Sequence, residues 1–281
     1  MIEARLALSQ AIATLEEAGV DSPRLDAELL LAHILDVNRA AVLARPDRRL
    51  TPKQLTRFRN LVARRAAREP LAYILGEREF FGLAFLVDPR VLIPRPETEL
   101  LVEEALRLAR SRPAPLLADV GAGSGAIAVS LAVHLPRATV YALDDSDGAL
   151  AVTAENARRH GVAERVHCLP GNLLAPLPER VDLITANLPY VAAPEWEALA
   201  PEIRGYEPQA ALDGGADGLE LIRGMLASAA PHLRPGGALL LEIGATQGPA
   251  VVALARQHFP EADVELKPDY AGLDRLVVVQ T

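Results

Sequence analysis

The sequence predicts an α/β fold, a parallel sheet with helices on both faces, preceded by a small helical bundle and a β-hairpin. Three observations carry that reading. From residue 116 onward, short apolar runs alternate with helix-length segments, the order in which parallel strands are joined by crossover helices. A glycine-rich turn, Gly121-Ala122-Gly123-Ser124-Gly125, stands between one such run and a helix-like segment opening at Ala126. Another run, residues 181–186, passes into Asn187-Leu188-Pro189-Tyr190. Pro189 lacks the N–H that a central strand must donate, so this strand ends at the edge where open α/β sheets place their ligands.

Taken in order, residues 1–75 show helical spacing only. Leu8, Ile12 and Leu15 recur on one face, and Gly19 is placed to end that helix. Ser22-Pro23 and Thr51-Pro52 each set a capping hydroxyl before a proline at the first helical position. Apolar stripes follow at Leu25 and Leu29, and at Leu55, Phe58 and Val62. Residues 79–87 and 91–93 read as strands around an Asp88-Pro89 turn, a hairpin linking the bundle to the sheet. Pro94-Arg95-Pro96-Glu97-Thr98-Glu99 opens a helix, with acids where the helix dipole favours them. Strands are then expected at residues 116–120, 139–143 with Asp144 at the end, 166–169, 181–186, 238–243 after a Pro235-Gly236-Gly237 turn, 264–266 and 276–279. The domains expected are 1–75 for the helical bundle, 76–93 for the hairpin linker and 94–281 for the sheet.

Composition excludes several classes. Half of the 281 residues are hydrophobic, and the net charge of −8 argues against a nonspecific nucleic-acid binder. Cys168 is the only cysteine, so no internal disulfide or thiolate metal cluster can form, and the six histidines are scattered without ligand spacing; no metal is expected. No signal-peptide order or membrane-length apolar run is present, so a cytoplasmic protein without a membrane partner is expected. Charge is nonetheless uneven. Between Arg39 and Arg68 stand ten basic residues and one acid, Asp47, which favours docking to something acidic.

The glycine turn lets a ligand approach the backbone closely, because no Cβ intervenes. It also fits a dinucleotide fingerprint, with Asp144 about 20 residues on as a ribose-binding acid. On these residues alone a nicotinamide and an adenosyl cofactor both remain open. No hydride-handling histidine or tyrosine–lysine pair stands out for the former.

Asp119-Val120-Gly121-Ala122-Gly123-Ser124-Gly125 resembles the first motif of class I methyltransferases, and Asn187-Leu188-Pro189-Tyr190 resembles the [ND]-x-P-Y motif of those that methylate nitrogen. Further stretches narrow the likeness: Pro70 to Gly76, Leu92 to Glu99, Tyr206-Glu207-Pro208 with Ala211-Leu212, Gly214 to Leu219, and Leu241-Glu242-Ile243-Gly244 with Gln247. Together they resemble bacterial protein-(glutamine-N5) methyltransferases, nearest to the release-factor branch, from about Leu25 to the end.

That resemblance implies a Rossmann-like class I methyltransferase sheet, S-adenosylmethionine as cofactor with S-adenosylhomocysteine as product, and class 1 peptide-chain release factors as protein partners of a monomer. Carried over by motif, Asp119, Gly121, Ala122, Gly123, Ser124, Gly125, Asp144, Asn172, Leu173 and Asn187 fall at the cofactor, while Asn187, Leu188, Pro189 and Tyr190 would hold a substrate glutamine. The alternatives are a ribosomal-protein glutamine, or an adenine N6 of RNA or DNA. Three positions depart from the family pattern. Leu188 replaces the first proline of Asn-Pro-Pro-Tyr and is expected to loosen that turn. Ala122 replaces a threonine, and Asn172 stands where an acid often meets the adenine amino group.

Overall fold

Three buried apolar clusters organise the chain, whose computed structural model describes residues 2–281. One cluster holds the helical part together and the other two lie on opposite faces of a sheet. Contacts divide the chain into two compact units, the first running to Gly76 and including Ala200–Tyr206, the second comprising Glu77–Leu199 and Glu207–Thr281.

The first unit contains β1 (Ile2–Glu3), α1 (Ala4–Glu17), α2 (Pro23–Leu35), α3 (Arg39–Ala44), β2 (Arg49–Leu50), α4 (Pro52–Ala66) and α5 (Leu71–Leu75). Gly19 follows the end of α1 in a left-handed conformation, φ +69°. Thr51 caps α4 as its sequence predicts, in a reciprocal capping box with Gln54. Ser22 occupies the matching position of α2, but its side chain makes no cap hydrogen bond. The stripe of α2 is also turned from the expected one: Ala27, Leu30, Leu31, Ile34 and Leu35 are buried, whereas Leu25 is exposed. Leucines surround this helix, so spacing alone could not phase it.

The second unit opens with a hairpin, β3 (Glu77–Phe80) and β4 (Leu83–Leu86). Its turn is Phe81-Gly82, not Asp88-Pro89, and residues 91–93 form no strand. Both turn residues have positive φ, 52° and 73°, the conformation that a two-residue hairpin loop requires. A phenylalanine is an unusual occupant, which hid the signal. Phe80 and Phe85 are buried in the same cluster as α6 (Glu99–Ala109) and α7 (Ala126–His134), and Asn156 clamps Leu86 through both its N–H and its C=O.

The sheet comprises β5 (Leu116–Val120), β6 (Thr139–Asp144), β7 (Val166–Pro170), β8 (Val181–Ala186), β9 (Leu233–Glu242), β10 (Asp263–Pro268) and β11 (Asp274–Gln280). Their order is β10-β11-β9-β8-β5-β6-β7. The five strands from β9 to β7 are parallel, and β11 runs antiparallel between β9 and β10. Alternate residues serve alternate faces: Leu117 and Leu183 join the α6–α7 cluster, while Leu116, Ala118 and Ile184 face α10 (Glu220–Ala229) and α11 (Gly248–His258). β9 begins five residues before the expected start, because Pro235-Gly236-Gly237 is an irregularity within the pairing with β8 rather than a turn ahead of it. No helix is long and apolar enough to cross a membrane among the described residues.

Between β8 and α10, α9 (Pro201–Tyr206) is the segment grouped with the first unit. Its Glu202 carboxylate accepts from Arg65 at 3.0 Å and Arg68 at 2.7 Å, and Arg65 also holds the buried Asp26 at 2.7 Å. Tyr206 donates its hydroxyl to the Ala67 carbonyl.

Candidate active site

Loops at the carboxyl ends of β5, β6, β7 and β8 line one cavity. β5 lies between β8 and β6, where the strand order reverses, and loops leaving the sheet on either side of such a point open a crevice.

The loop after β5 is folded by left-handed glycines. Gly121 and Ala122 donate their N–H groups to the Leu143 carbonyl, and Gly123 donates to Asp144 Oδ2 at 2.9 Å. A Cβ on Gly121 would stand 3.3 Å from the Leu188 side chain and 3.4 Å from the Asn187 carbonyl, so glycine there lets two site loops meet. On Gly123, φ +55°, a Cβ would find no atom nearer than 3.9 Å, which leaves open space beside the backbone. Gly125 serves packing instead. Its Cβ would lie 2.9 Å from Thr153 of α8 (Asp147–Arg159).

Asp144 ends β6 with both oxygens engaged by backbone N–H groups, Oδ2 by Gly123 and Oδ1 by Ser146 at 2.9 Å each. Burial pushes its pKa up from the ordinary value. Each oxygen keeps a second lone pair for a donor in the cavity. Asn172 and Leu173 follow β7 on the cavity wall, and Leu173 holds φ +48°, a strained conformation for a bulky residue that costs about 1–3 kcal/mol.

Asn187, Leu188 and Pro189 complete the lining after β8. Asn187 Nδ2 donates to Thr98 Oγ1 at 3.1 Å. Leu188 is only 4% exposed and packs in the core cluster of that face, so burial restrains the turn where the missing proline ring was expected to loosen it. The next residue is held from behind. Gln247 donates to the Tyr190 carbonyl at 3.0 Å while its Oε1 accepts from Gly244 N–H, and a Cβ on Gly218 would lie on the Tyr190 carbonyl.

The cavity thus gathers Gly121, Ala122, Gly123, Ser124, Asp144, Asn172, Leu173, Asn187, Leu188 and Pro189, and leaves Asp119, Gly125 and Tyr190 outside its lining. Asp119 is wholly buried, accepting from Thr185 Oγ1 at 3.0 Å and the Ala128 N–H at 3.1 Å, and burial raises its pKa to about 7. Tyr190 is also largely buried. Its hydroxyl donates to Glu242 Oε1 at 3.4 Å, and its pKa is pushed up to about 12, first by burial and then by that carboxylate.

The helical unit and the sheet unit each match a family description: residues 7–76 match the PrmC N-terminal domain, and residues 96–202 the methyltransferase small domain. Curated relatives cover nearly the whole chain. The release factor glutamine methyltransferases of Geobacter sulfurreducens and Moorella thermoacetica are each 47% identical; the first match covers 94% of this chain and 91% of that relative, the second 96% of each. That of Deinococcus radiodurans is 42% identical, over 96% of this chain and 95% of its own. The chain belongs to the release factor glutamine methyltransferase family. Two solved structures share the fold: a methyltransferase from Pyrococcus furiosus, with TM-score 0.54, 18% identity and coverage of 79% of this chain and 97% of that one, and a 16S rRNA N2 methyltransferase of T. thermophilus in complex with AdoMet and guanosine, with TM-score 0.53, 19% identity and coverage of 73% and 49%.

Within this release factor glutamine methyltransferase family member, several motif residues gain physical roles that the sequence did not assign. Glu207, buried, accepts from Arg95 at 2.7 Å and from the Ile93 N–H at 3.1 Å, tying the segment that carries Pro208 and Ala211 to the one that carries Arg95, all of them lining the cavity. Gln247 pins the turn at Tyr190. Thr98 accepts from Asn187 Nδ2, and Glu242 accepts from the Tyr190 hydroxyl. The available signal for Glu207 and Glu242 was an acid in an apolar setting, which marks a buried carboxylate with a specific partner.

Proposed function

We propose that the cavity binds S-adenosylmethionine and that the enzyme transfers its methyl group to the side-chain nitrogen, N5, of the glutamine in the Gly-Gly-Gln motif of class 1 peptide-chain release factors. The observation that carries this is the meeting of the glycine loop, Asp144 and the Asn187-Leu188-Pro189 turn on one cavity in a chain of this family. The residues present fit the cofactor. A side chain on Gly123 would enter the open space beside it, and Asp144 offers acceptors at a strand end for a ribose diol. Asn172 and Leu173 stand where an adenine would lie, and Asn172 supplies a neutral acceptor in place of an acid.

The cofactor supplies an electrophilic methyl group on a sulfonium. The protein's work is done on the nucleophile. An amide nitrogen is a weak nucleophile, because its lone pair is delocalised into the carbonyl. Asn187 Oδ1 accepts one N–H of the substrate amide and the Leu188 carbonyl accepts the other, which orients the nitrogen and favours charge as it develops there. Tyr190, anchored on Glu242 and Gln247, keeps that turn in place. The nitrogen sheds its proton to water after transfer. Positioning of this kind contributes up to roughly 7–11 kcal/mol in favourable cases.

The helical unit is read as the docking surface for the protein substrate. Of its ten cations between Arg39 and Arg68, four are spent on the unit's own acids: Arg39 on Glu28, Arg64 on Glu69, Arg65 on Asp26 and Glu202, and Arg68 on Glu202. Arg45, Arg48, Arg49, Lys53, Arg57 and Arg59 remain without an ion pair among the described residues, and all but Arg48 are exposed.

Peptide mapping of purified release factor after reaction tests the reading. A 14 Da increment, the mass of an added CH₂, is expected on the Gly-Gly-Gln glutamine, and Asn187→Ala is expected to slow transfer by roughly 10²- to 10³-fold, as loss of one preorganised hydrogen-bond partner does. The label on a ribosomal-protein glutamine, or on an adenine of added RNA, would overturn it.

A further inference from the structure

We infer that the tip joining β10 to β11, with Tyr270 and Leu273 exposed on it, is a docking surface for the substrate protein. Its occupant is an extended segment flanking the target glutamine that carries an apolar side chain and a cation. The inference rests on the function proposed above and names the part of the partner that this edge of the sheet grips.

Tyr270 is 83% exposed and Leu273 50% exposed. Among the described residues they are the only large hydrophobic side chains of the sheet unit so exposed; the others, Leu6, Leu25 and Leu43, belong to the helical unit. Neither joins an apolar cluster. Their backbone is nevertheless firmly held. Asp269 Oδ1 accepts from the N–H groups of Ala271 at 2.9 Å and Leu273 at 3.0 Å, and Oδ2 accepts from Arg275 at 3.2 Å. The Asp269 N–H donates to the Leu273 carbonyl at 2.8 Å, and Gly272 supplies the positive φ, 81°, that the turn needs. Arg275 also donates to the Ile243 carbonyl at 3.2 Å, which fastens the tip to the residue after β9. Two apolar side chains held outward on a braced loop contribute little to folding, whereas an exposed and preorganised apolar surface is what an interface uses.

Strand direction brings this tip to the edge that carries the cavity. β9 runs parallel to β8, β11 antiparallel to β9 and β10 antiparallel to β11, so β10 ends at the same edge as β8. β11 lies two strands from β8 and β10 three, about 10 and 14 Å at the usual strand spacing. A second connection comes through α6. The Tyr270 hydroxyl donates to Glu103 Oε2 at 2.7 Å. Thr98, five residues before Glu103, lines the cavity and accepts from Asn187, and that stretch of helix rises only about 7 Å. An extended chain covers about 3.3 Å per residue, so a segment whose glutamine is seated at Asn187 reaches the tip within roughly three to five residues.

Charge selects the kind of segment. Glu103 and Glu97 are exposed, and neither has an ion pair among the described residues. The cations of α6, β10 and β11 are already engaged: Arg107 and Lys267 with Glu104, and Arg275 with Asp269. A cation beside an apolar residue complements this strip, whereas an acidic segment or a nucleic-acid backbone is repelled by it.

The test uses the full chain with three substrates: intact release factor, a peptide extending about eight residues on either side of the glutamine, and one extending about two, too short to reach the tip. Tyr270→Ser combined with Leu273→Ser is expected to raise KM for the long peptide and the intact protein by about 10- to 30-fold, the loss that two interface anchors produce. For the short peptide, KM and kcat are expected to move less than about 2-fold, with melting temperature and calorimetric cofactor Kd unchanged. Tyr270→Phe, which keeps the ring, is expected to stay within about 3-fold of the unchanged enzyme. Glu103→Lys is expected to raise KM for the long peptide by about 3- to 10-fold at low salt. Unchanged KM for the long peptide in the double variant would overturn the docking role, as would an equal loss with the short peptide. A lower KM in Glu103→Lys would overturn the cationic partner. A dimer of the unchanged enzyme that the double variant separates in sedimentation would give the tip to a second copy of this chain and overturn the inference too. If the unchanged enzyme methylates none of the three substrates, the proposed function fails and the tip's partner with it; transfer with variant ratios left unchanged removes the tip alone.

Discussion

Asp144 is a residue with two demands on one carboxylate. Its oxygens already hold the Gly123 and Ser146 N–H groups, so the side chain shapes the glycine loop before any ligand arrives. In the proposed site the same oxygens accept the ribose hydroxyls. Asp144→Ala is therefore expected to lose about 1.5–3 kcal/mol of S-adenosylmethionine affinity, the range for hydrogen bonds to a charged group. Asp144→Asn retains a single acceptor oxygen and should fall between the two. Calorimetry decides, and affinity unchanged in Asp144→Ala would remove the residue from the site. Asp119, only one strand away, makes the contrast: its oxygens serve Thr185 and the start of α7, and it reaches no cavity. The motif resemblance implies both acids at the cofactor, but burial separates an acid on the cavity wall from an internal brace.

At the scale of the element, the loop between β5 and α7 carries three glycines for different reasons, and substitution should distinguish them. Gly123→Ala would put a methyl group into open space beside the site, whereas Gly125→Ala would press one against Thr153 at 2.9 Å with its backbone at φ +79°. Gly125→Ala is expected to destabilise the protein by about 1–3 kcal/mol. Gly123→Ala, at φ +55°, should cost less stability but weaken cofactor binding. Chemical denaturation and calorimetry on both proteins check this, and the reverse pattern would show that the roles are exchanged. The same elements explain what could be read from the sequence. β5 and β8 were legible to the residue, because each is a short apolar run closed by glycine or by the Asn187–Tyr190 turn. The hairpin turn was misplaced because Phe81 holds a positive φ that its residue type does not advertise. The start of β9 was misplaced because a Pro-Gly-Gly segment, a turn signal in sequence, is tolerated as an irregularity when a neighbouring strand resumes the pairing. In the site, the residues on the loops were legible from their motifs. Thr98 and Glu242 lie in family motifs too, yet what they hold, Asn187 for the one and Tyr190 for the other, depends on the turn before α6 and on the β8–β9 register, neither of which spacing reveals.

For the molecule as a whole, buried acids make stability depend on pH in a direction opposite to ordinary acid denaturation. Asp119 and Glu242 each have a pKa raised to about 7 by burial, and Asp144 is raised by the same cause. In the unfolded chain such groups ionise near pH ~4. Between that range and pH ~7 the native protein binds more protons than the unfolded chain, so its stability falls as pH rises. The contribution is fully present below the unfolded values and is lost as pH passes through about 7. Carboxylates held low by ion pairs, such as Asp217 at about 2 through Arg223, act the other way, but only when pH falls below the unfolded carboxylate range. The two sets leave a maximum of stability at mildly acidic pH. Each pH unit over which the native state holds one extra proton changes stability by about 1.4 kcal/mol. That corresponds to roughly 2–4 °C of melting temperature per kcal/mol for a domain of this size class. The melting temperature is therefore expected to rise by a few degrees as pH is lowered from about 8 to about 6. Asp119→Asn should reduce that slope. Its amide can accept from Ala128 N–H and donate to Thr185 Oγ1, whose own proton can pass to the Ala118 carbonyl already 3.4 Å away. Scanning calorimetry across a buffer series measures both proteins. A melting temperature that stays level or climbs between about pH 6 and 8 would mean that Asp119 and Glu242 are ionised in the native state throughout, and that their burial is compensated by the groups around them.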